Sequence, residues 1–314
     1  LKPEYADAYL SLGILLRDIG QLTDAEKSTS KAIKLKPDLA KAYDILGLIH
    51  LQKSEYDLSL QSFSESANLL NGQINQEIDH KRFKTINQAK ILHDIEQFEY
   101  LASQGYQTKK FTDLAILYKR IANKINWPSE TEVIPLNNEY HSLLKESYNR
   151  LLHKVEEPEL KDKAINNFIK VEKVTNDYFN HEYGLTYIDN FLSPEALDSL
   201  RKFLLGSTIW FNIRKNGYIG TFLREGLANP LILQIANELK NKFPKIFKDY
   251  PINEIWAFKY DSRSKNDKSS IRGINAHADF AAVNVNFWIT PNDANLDTES
   301  GGLIVYDVEA PKDW

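Results

Sequence analysis

His277 and Asp279 are the residues of this chain best suited to chemistry by type and spacing, within the run Asn275-Ala276-His277-Ala278-Asp279-Phe280. On an extended strand, side chains two residues apart project to the same face, so the imidazole Nε2 and the carboxylate can meet at one point. Such a pair supplies two corners of the facial triad that holds non-haem Fe(II), leaving positions open for O2 and a chelating cosubstrate. Alone the pair is a weak signal: with 7 histidines and 43 acidic residues in 314, about one His-x-acid pair arises by chance. The competing reading is a surface strand with a charge-paired histidine. The chain has no cysteine, which excludes disulfides, thiolate nucleophiles and cysteine-ligated zinc and leaves His, Asp and Glu as the strong metal ligands.

Positioning the pair requires a sheet, and the β-branched and aromatic content predicts one after residue 182. Strand-like runs fall at 183–191, 208–213, 252–260, 283–290 and 303–308. Ser193-Pro194-Glu195 opens a helix, with Ser193 as N-cap and Pro194 at its first position, and a second helix spans 230–243. The alternating run Val283-Asn284-Val285-Asn286-Phe287-Trp288-Ile289-Thr290 follows the pair, and Val285, Phe287 and Trp288 are assigned to barrel or surface packing rather than to substrate.

The N-terminal part reads differently. Pro3, Tyr9, Leu12 and Gly13 recur as Pro37, Tyr43, Leu46 and Gly47, each displaced by 34 residues, and Leu35-Lys36-Pro37 reproduces Leu1-Lys2-Pro3. Ala25 and Ala32 are small residues on a second helix, where close approach to the first permits no bulk, and Pro37 stops that helix. These residues resemble the tetratricopeptide repeat over about residues 1–72. The likeness decays in the second unit, where Ser59, Ser66 and Asn71 stand at the small-residue and proline positions. From 73 to about 180 the pattern stays helical. Phe83, Ile86, Ile91, Ile95, Phe98 and Leu101 predict one long amphipathic helix, and breaks come at Trp127-Pro128 and Glu157-Pro158. His80, His93, His141 and His153 lie in this region without metal-ligand spacing, apart from the acids of His93-Asp94-Ile95-Glu96, and are read as solvated or capping residues.

The order of features around His277 resembles the 2-oxoglutarate- and Fe(II)-dependent dioxygenases, in particular their prolyl-hydroxylase-like branch. The matching residues are Tyr187-Ile188-Asp189-Asn190-Phe191-Leu192-Ser193, Lys259-Tyr260, His277-Ala278-Asp279, the strand from Asn284 to Thr290, and Gly301-Gly302-Leu303, covering about 183–314. The resemblance implies Fe(II) held by His277, Asp279 and a later histidine, and 2-oxoglutarate as cosubstrate with a basic residue on its distal carboxylate. Tyr260, Asn284 and Asn286 become candidates for hydrogen bonds to that cosubstrate. No histidine follows His277 in this sequence, so the expected site lacks its second histidine and its basic anchor, and a fragment cut at both ends is expected.

The expected fold class is therefore α+β and multidomain. It comprises a tetratricopeptide-repeat solenoid (1–72), a helical bridging region (73–182) and the front part of a double-stranded β-helix of jelly-roll or cupin-like type with flanking helices (183–314), incomplete at its C-terminal end. The expected function is a hydroxylating oxygenase whose repeats bind a protein or peptide partner or substrate, this chain by itself being inactive. One alternative is a non-catalytic repeat scaffold with a degenerate β-helix domain, and another a cupin-like metal enzyme that needs no 2-oxoglutarate. A formal charge of -4 without a basic block disfavours nucleic acid. No apolar run approaches the roughly 20 residues of a membrane span, and the start lacks a signal peptide, so a cytoplasmic location is expected.

Overall fold

The computed structural model describes residues 5–72, 81–129, 131–157, 159–213, 218–259, 277, 279, 281–294 and 305–306. They are mostly helical, with two small antiparallel sheets and no closed barrel among them.

Two helical hairpins open the fold: α1 (Ala6–Asp18) with α2 (Leu22–Leu35), then α3 (Ala40–Gln52) with α4 (Tyr56–Ala67). Their internal contacts repeat at the 34-residue displacement. A β-carbon on Gly13 would meet Thr29, and one on Gly47 would meet Phe63, so glycine is what lets each first helix touch its partner. Ala25 and Ala32 are fully buried, and so are Ser59 and Ser66 at the same places in the second hairpin. The serines keep the small volume and satisfy their hydroxyls on the neighbouring helix, Ser59 Oγ donating to Gly47 O (2.9 Å) and Ser66 Oγ to Ala40 O (3.2 Å).

After a π turn at Asn68–Gly72 come α5 (Lys81–Lys84), β1 (Thr85–Ile86), α6 (Gln88–Ser103), α7 (Thr108–Ala122), β2 (Ile134–Pro135), α8 (Asn138–Leu144) and α9 (Val171–Asn180). The single helix expected from Phe83 onward is broken, because Thr85 and Ile86 pair with Pro135 and Ile134 and Asn87 then caps α6 by accepting from Lys90 N–H. Ile91, Ile95, Phe98 and Leu101 pack against Phe111, Ala115 and Tyr118 of α7. The helical pattern expected up to residue 180 also fails between α8 and α9. Backbone there is held by side chains instead: Val155 N–H by Ser207 Oγ, Leu160 N–H by Gln234, and Ala164 and Ile165 N–H by the Glu238 carboxylate.

The remaining elements are α10 (Pro194–Gly206), β3 (Asn212–Ile213), β4 (Ile219–Phe222), a 3-10 turn (Leu223–Glu225), α11 (Pro230–Lys242), α12 (Pro244–Phe247), β5 (Trp256–Lys259) and a second 3-10 turn (Asn292–Ala294). Ser193 caps α10 through Ala196 N–H, with Pro194 in the first turn. Strands β3, β4 and β5 form an antiparallel sheet in which Ile219 faces Lys259 and Phe222 faces Trp256. Two expected strands do not form. Residues 183–191 are irregular apart from an isolated bridge next to them, Leu192 to Ile165. Residues 283–290 are extended without a ladder partner among the described residues, so high β-propensity finds no neighbouring strand to use it. Trp288 is 70% exposed, and Val285 and Phe287 are also exposed rather than packed in a core.

One apolar cluster runs from Leu10, Ile45 and Phe63 of the hairpins to Leu200, Leu223 and Ile235, across the lines expected at residues 72 and 182. Tyr56 Oη donates to Asn237 Oδ1 (2.6 Å) and Gln52 Nε2 to Ile252 O (3.3 Å) along that junction.

Candidate functional site

The His277–Asp279 pair does converge. His277 Nε2 lies 3.7 Å from Asp279 Oδ1 and both side chains reach solvent. Asn284 Nδ2 donates to the other carboxylate oxygen, Oδ2, and Ala281 N–H closes a turn on Asp279 O (2.8 Å). One carboxylate oxygen is thus braced while the other faces the imidazole. Two cis ligands on an ion at bond lengths of about 2.1 Å stand about 3 Å apart, so a small side-chain rotation brings this pair to that spacing. The donor set fits two protein positions of a facial site. Among the described residues no third His or carboxylate joins it.

The segment that follows is tied down at separate points. Arg201 Nε donates to Ile289 O (2.6 Å), the Phe287 ring meets the edge of Phe191 at 5.6 Å, and Val283 packs beside Phe243 and Ile246. Asn286 is exposed and does not join the pair. Tyr260 lies outside the described residues.

A second polar constellation, of which the sequence reading gave only His93 a solvated or capping role, packs between α6 and β5, with Lys90 and Asp94 buried and His93 and Lys259 partly so. His93 is neither solvated nor a cap: its Nδ1 is 3.1 Å from Asp94 Oδ1 and its Nε2 3.2 Å from Lys259 Nζ. Lysine has no acceptor, so Lys259 donates to Nε2, and the imidazole carries its hydrogen on Nδ1, toward Asp94. Lys90 Nζ bonds both Asp94 oxygens. Burial, reinforced by the Lys259 charge, holds His93 down at about 4, and burial holds Lys259 down at about 8. Burial is the largest influence on Asp94 and raises it, but the Lys90 ammonium and the His93 contact together outweigh it and the net direction is down. The Lys259 ammonium also sits 4.6 Å from the Trp210 ring centroid. A signal for this array is present in the sequence: Lys90, Asp94 and Gln97 sit one step from the apolar stripe Ile91, Ile95 and Phe98, where charged residues are buried only when paired. Beside the array, Lys90, Asp94, Gln97, Asn149 and Trp210 help line a cavity of about 10 Å³, room for one water and not for an organic acid.

A third cluster joins Glu26 of α2, His50 of α3 and Glu55 before α4, with ligand atoms within 4.8 Å of one another. His50 Nδ1 is 2.7 Å from Glu55, and Lys53 Nζ bridges Glu26 (2.7 Å) and Glu55 (2.6 Å). The ammonium already meets both carboxylates, so the cluster acts as an ion-paired pin between the hairpins. Comparison of the chain with protein-family models, with curated proteins and with solved structures found no match.

Proposed function

We propose that this chain carries residues of a 2-oxoglutarate- and Fe(II)-dependent oxygenase domain of the double-stranded β-helix type, joined to tetratricopeptide-like hairpins that bind a protein or peptide. The observation that carries the reading is the convergence of His277 Nε2 and Asp279 Oδ1 at 3.7 Å, together with Asn284 bracing the second carboxylate oxygen. In this reading His277 and Asp279 hold the iron, and Asn284 orients Asp279 rather than touching the cosubstrate. Tyr260 and Asn286 keep the role of candidate cosubstrate contacts. Iron with bound 2-oxoglutarate supplies oxidative decarboxylation coupled to hydroxylation of a C–H bond. The residues described here contribute orientation: the bonded Oδ2 leaves one oxygen to face the metal position, and the i, i+2 spacing sets the imidazole beside it.

The test is metal binding. Mn(II) titration followed by electron paramagnetic resonance is compared for the wild type, His277→Ala, Asp279→Ala and Asn284→Ala. Loss of binding in the first two, and an affinity weakened about 10- to 100-fold in the third, is the expected pattern. Equal affinity in all four proteins refutes the metal site.

A second reading, a non-catalytic interaction module, is favoured by one observation: Tyr5, Leu15, Ile19 and Leu58 expose large apolar side chains on the hairpins. Under that reading a partner binds the hairpins while the His277 and Asp279 variants change nothing.

A further inference from the structure

Helix α6 turns Lys90 and Asp94 inward while Glu96 and Glu99 stay exposed, and β5 sets Lys259 beside them. With His93 neutral, the array holds two ammonium groups, Lys90 and Lys259, against the single carboxylate of Asp94. Lys90 is the one that bonds that carboxylate. Among the described residues Lys259 touches no acid; its polar contact is His93 Nε2, and the Trp210 face covers it. Asp94 and Glu96 attract it across space and Lys90 repels it. From the other packed elements, Ile219 faces it across the sheet, Tyr118 and Tyr148 lie near Asp94 and are held well above their ordinary range by burial, and Arg150 lines the neighbouring cavity. Proton release from Lys259 removes the unmatched charge and keeps the contact, since a neutral amine still donates to Nε2.

We propose that the Lys259–His93 contact is a proton-operated clamp between helix α6 and strand β5, which tightens as Lys259 releases its proton and loosens as it regains it. The inference rests on the α6–β5 geometry and is independent of the oxygenase reading. Opening the clamp returns the amine to water and to its ordinary value of 10.5, against about 8 when closed. The opening equilibrium therefore falls about tenfold from pH 7 to pH 9. His93, neutral down to about 4, does not titrate in that window.

Hydrogen exchange on the full chain tests the clamp, with the protection of α6 and β5 amides referred to intrinsic exchange rates at pH 7 and pH 9. Protection is expected to rise about tenfold in the wild type and to be flat in Lys259→Met, which keeps the length of the side chain and removes its charge. A 15N titration of the lysine side chains in the wild type supplies a measurement that needs no variant, with Lys259 expected to titrate near pH 8. Flat protection in the wild type, an equal rise in Lys259→Met, or a Lys259 titration near 10.5 each overturns the proposal.

Discussion

Replacing Gly47 by alanine sets two effects of known sign against each other. Alanine favours an exposed helix over glycine by about 1 kcal/mol, through lower backbone entropy in the unfolded chain. At this position, however, the added β-carbon would lie 2.8 Å from Cδ1 and Cε1 and 3.0 Å from Cγ of Phe63. Carbon atoms in contact prefer about 3.5 to 4.0 Å, so the ring or the helix must retreat by about 0.7 Å. Phe63 is fully buried and has no open space to enter. Overpacking of this kind costs about 1–3 kcal/mol, leaving a net destabilisation of about 0–2 kcal/mol after the propensity gain. Urea unfolding followed by far-ultraviolet circular dichroism measures the difference. Adding Phe63→Leu isolates the clash through a double-mutant cycle, in which the coupling between the two sites should recover about 1 kcal/mol or more. A Gly47→Ala protein more stable than the wild type by about the full 1 kcal/mol of the propensity gain, or a cycle without coupling to Phe63, refutes the close approach of α3 to α4.

The buried array on α6 yields two further predictions. His93 is held at about 4, chiefly by burial and then by Lys259; in the unfolded chain it takes its proton near 6.5. Between those values the unfolded state binds more protons, so stability is lost as pH falls from about 6.5 to 4, by up to about 3 kcal/mol. His93→Gln should flatten that part of a pH–stability profile, and an unchanged acid limb counts against a neutral buried imidazole. Asp94→Ala leaves the Lys90 charge unmatched and should cost about 3–5 kcal/mol, whereas the double change Lys90→Met with Asp94→Leu should cost far less. Chemical denaturation separates the two, and equal losses would mean that the pair is not buried.

The 34-residue period was readable because it is a local pattern: glycine, alanine and serine at helix contacts record how closely two helices approach, whatever surrounds them. The helix start at Ser193 was similarly accessible, since a cap is set by a few adjacent residues. Strands were harder. The run 283–290 has the composition of a strand, but a strand exists through its neighbour, and composition does not specify one. The pairing of Thr85 with Pro135 spans about fifty residues and cannot be inferred from helical periodicity, so one long helix was expected where a break occurs. At the candidate site, the i, i+2 spacing of His277 and Asp279 was enough to predict their approach, while the brace from Asn284 depends on a turn at Ala281 that the pattern does not encode. His93 was misassigned because its meaning comes from Lys259, 166 residues away.

The packing of α4 has a consequence for how the stack comes apart. Its outer side rests on Leu223 and α11, tied through Tyr56 and Asn237, whereas α1 leaves Leu15 and Ile19 exposed. In a stack of hairpins, stability is nearly a sum of each unit's own term and its interfaces. Among the described residues α1–α2 has one such interface and α3–α4 has two. Of the two hairpins, α1–α2 is therefore held to the other described residues through a single interface, and the ion-paired pin of Glu26, Lys53 and Glu55 is the barrier that couples its loss to that of α3–α4.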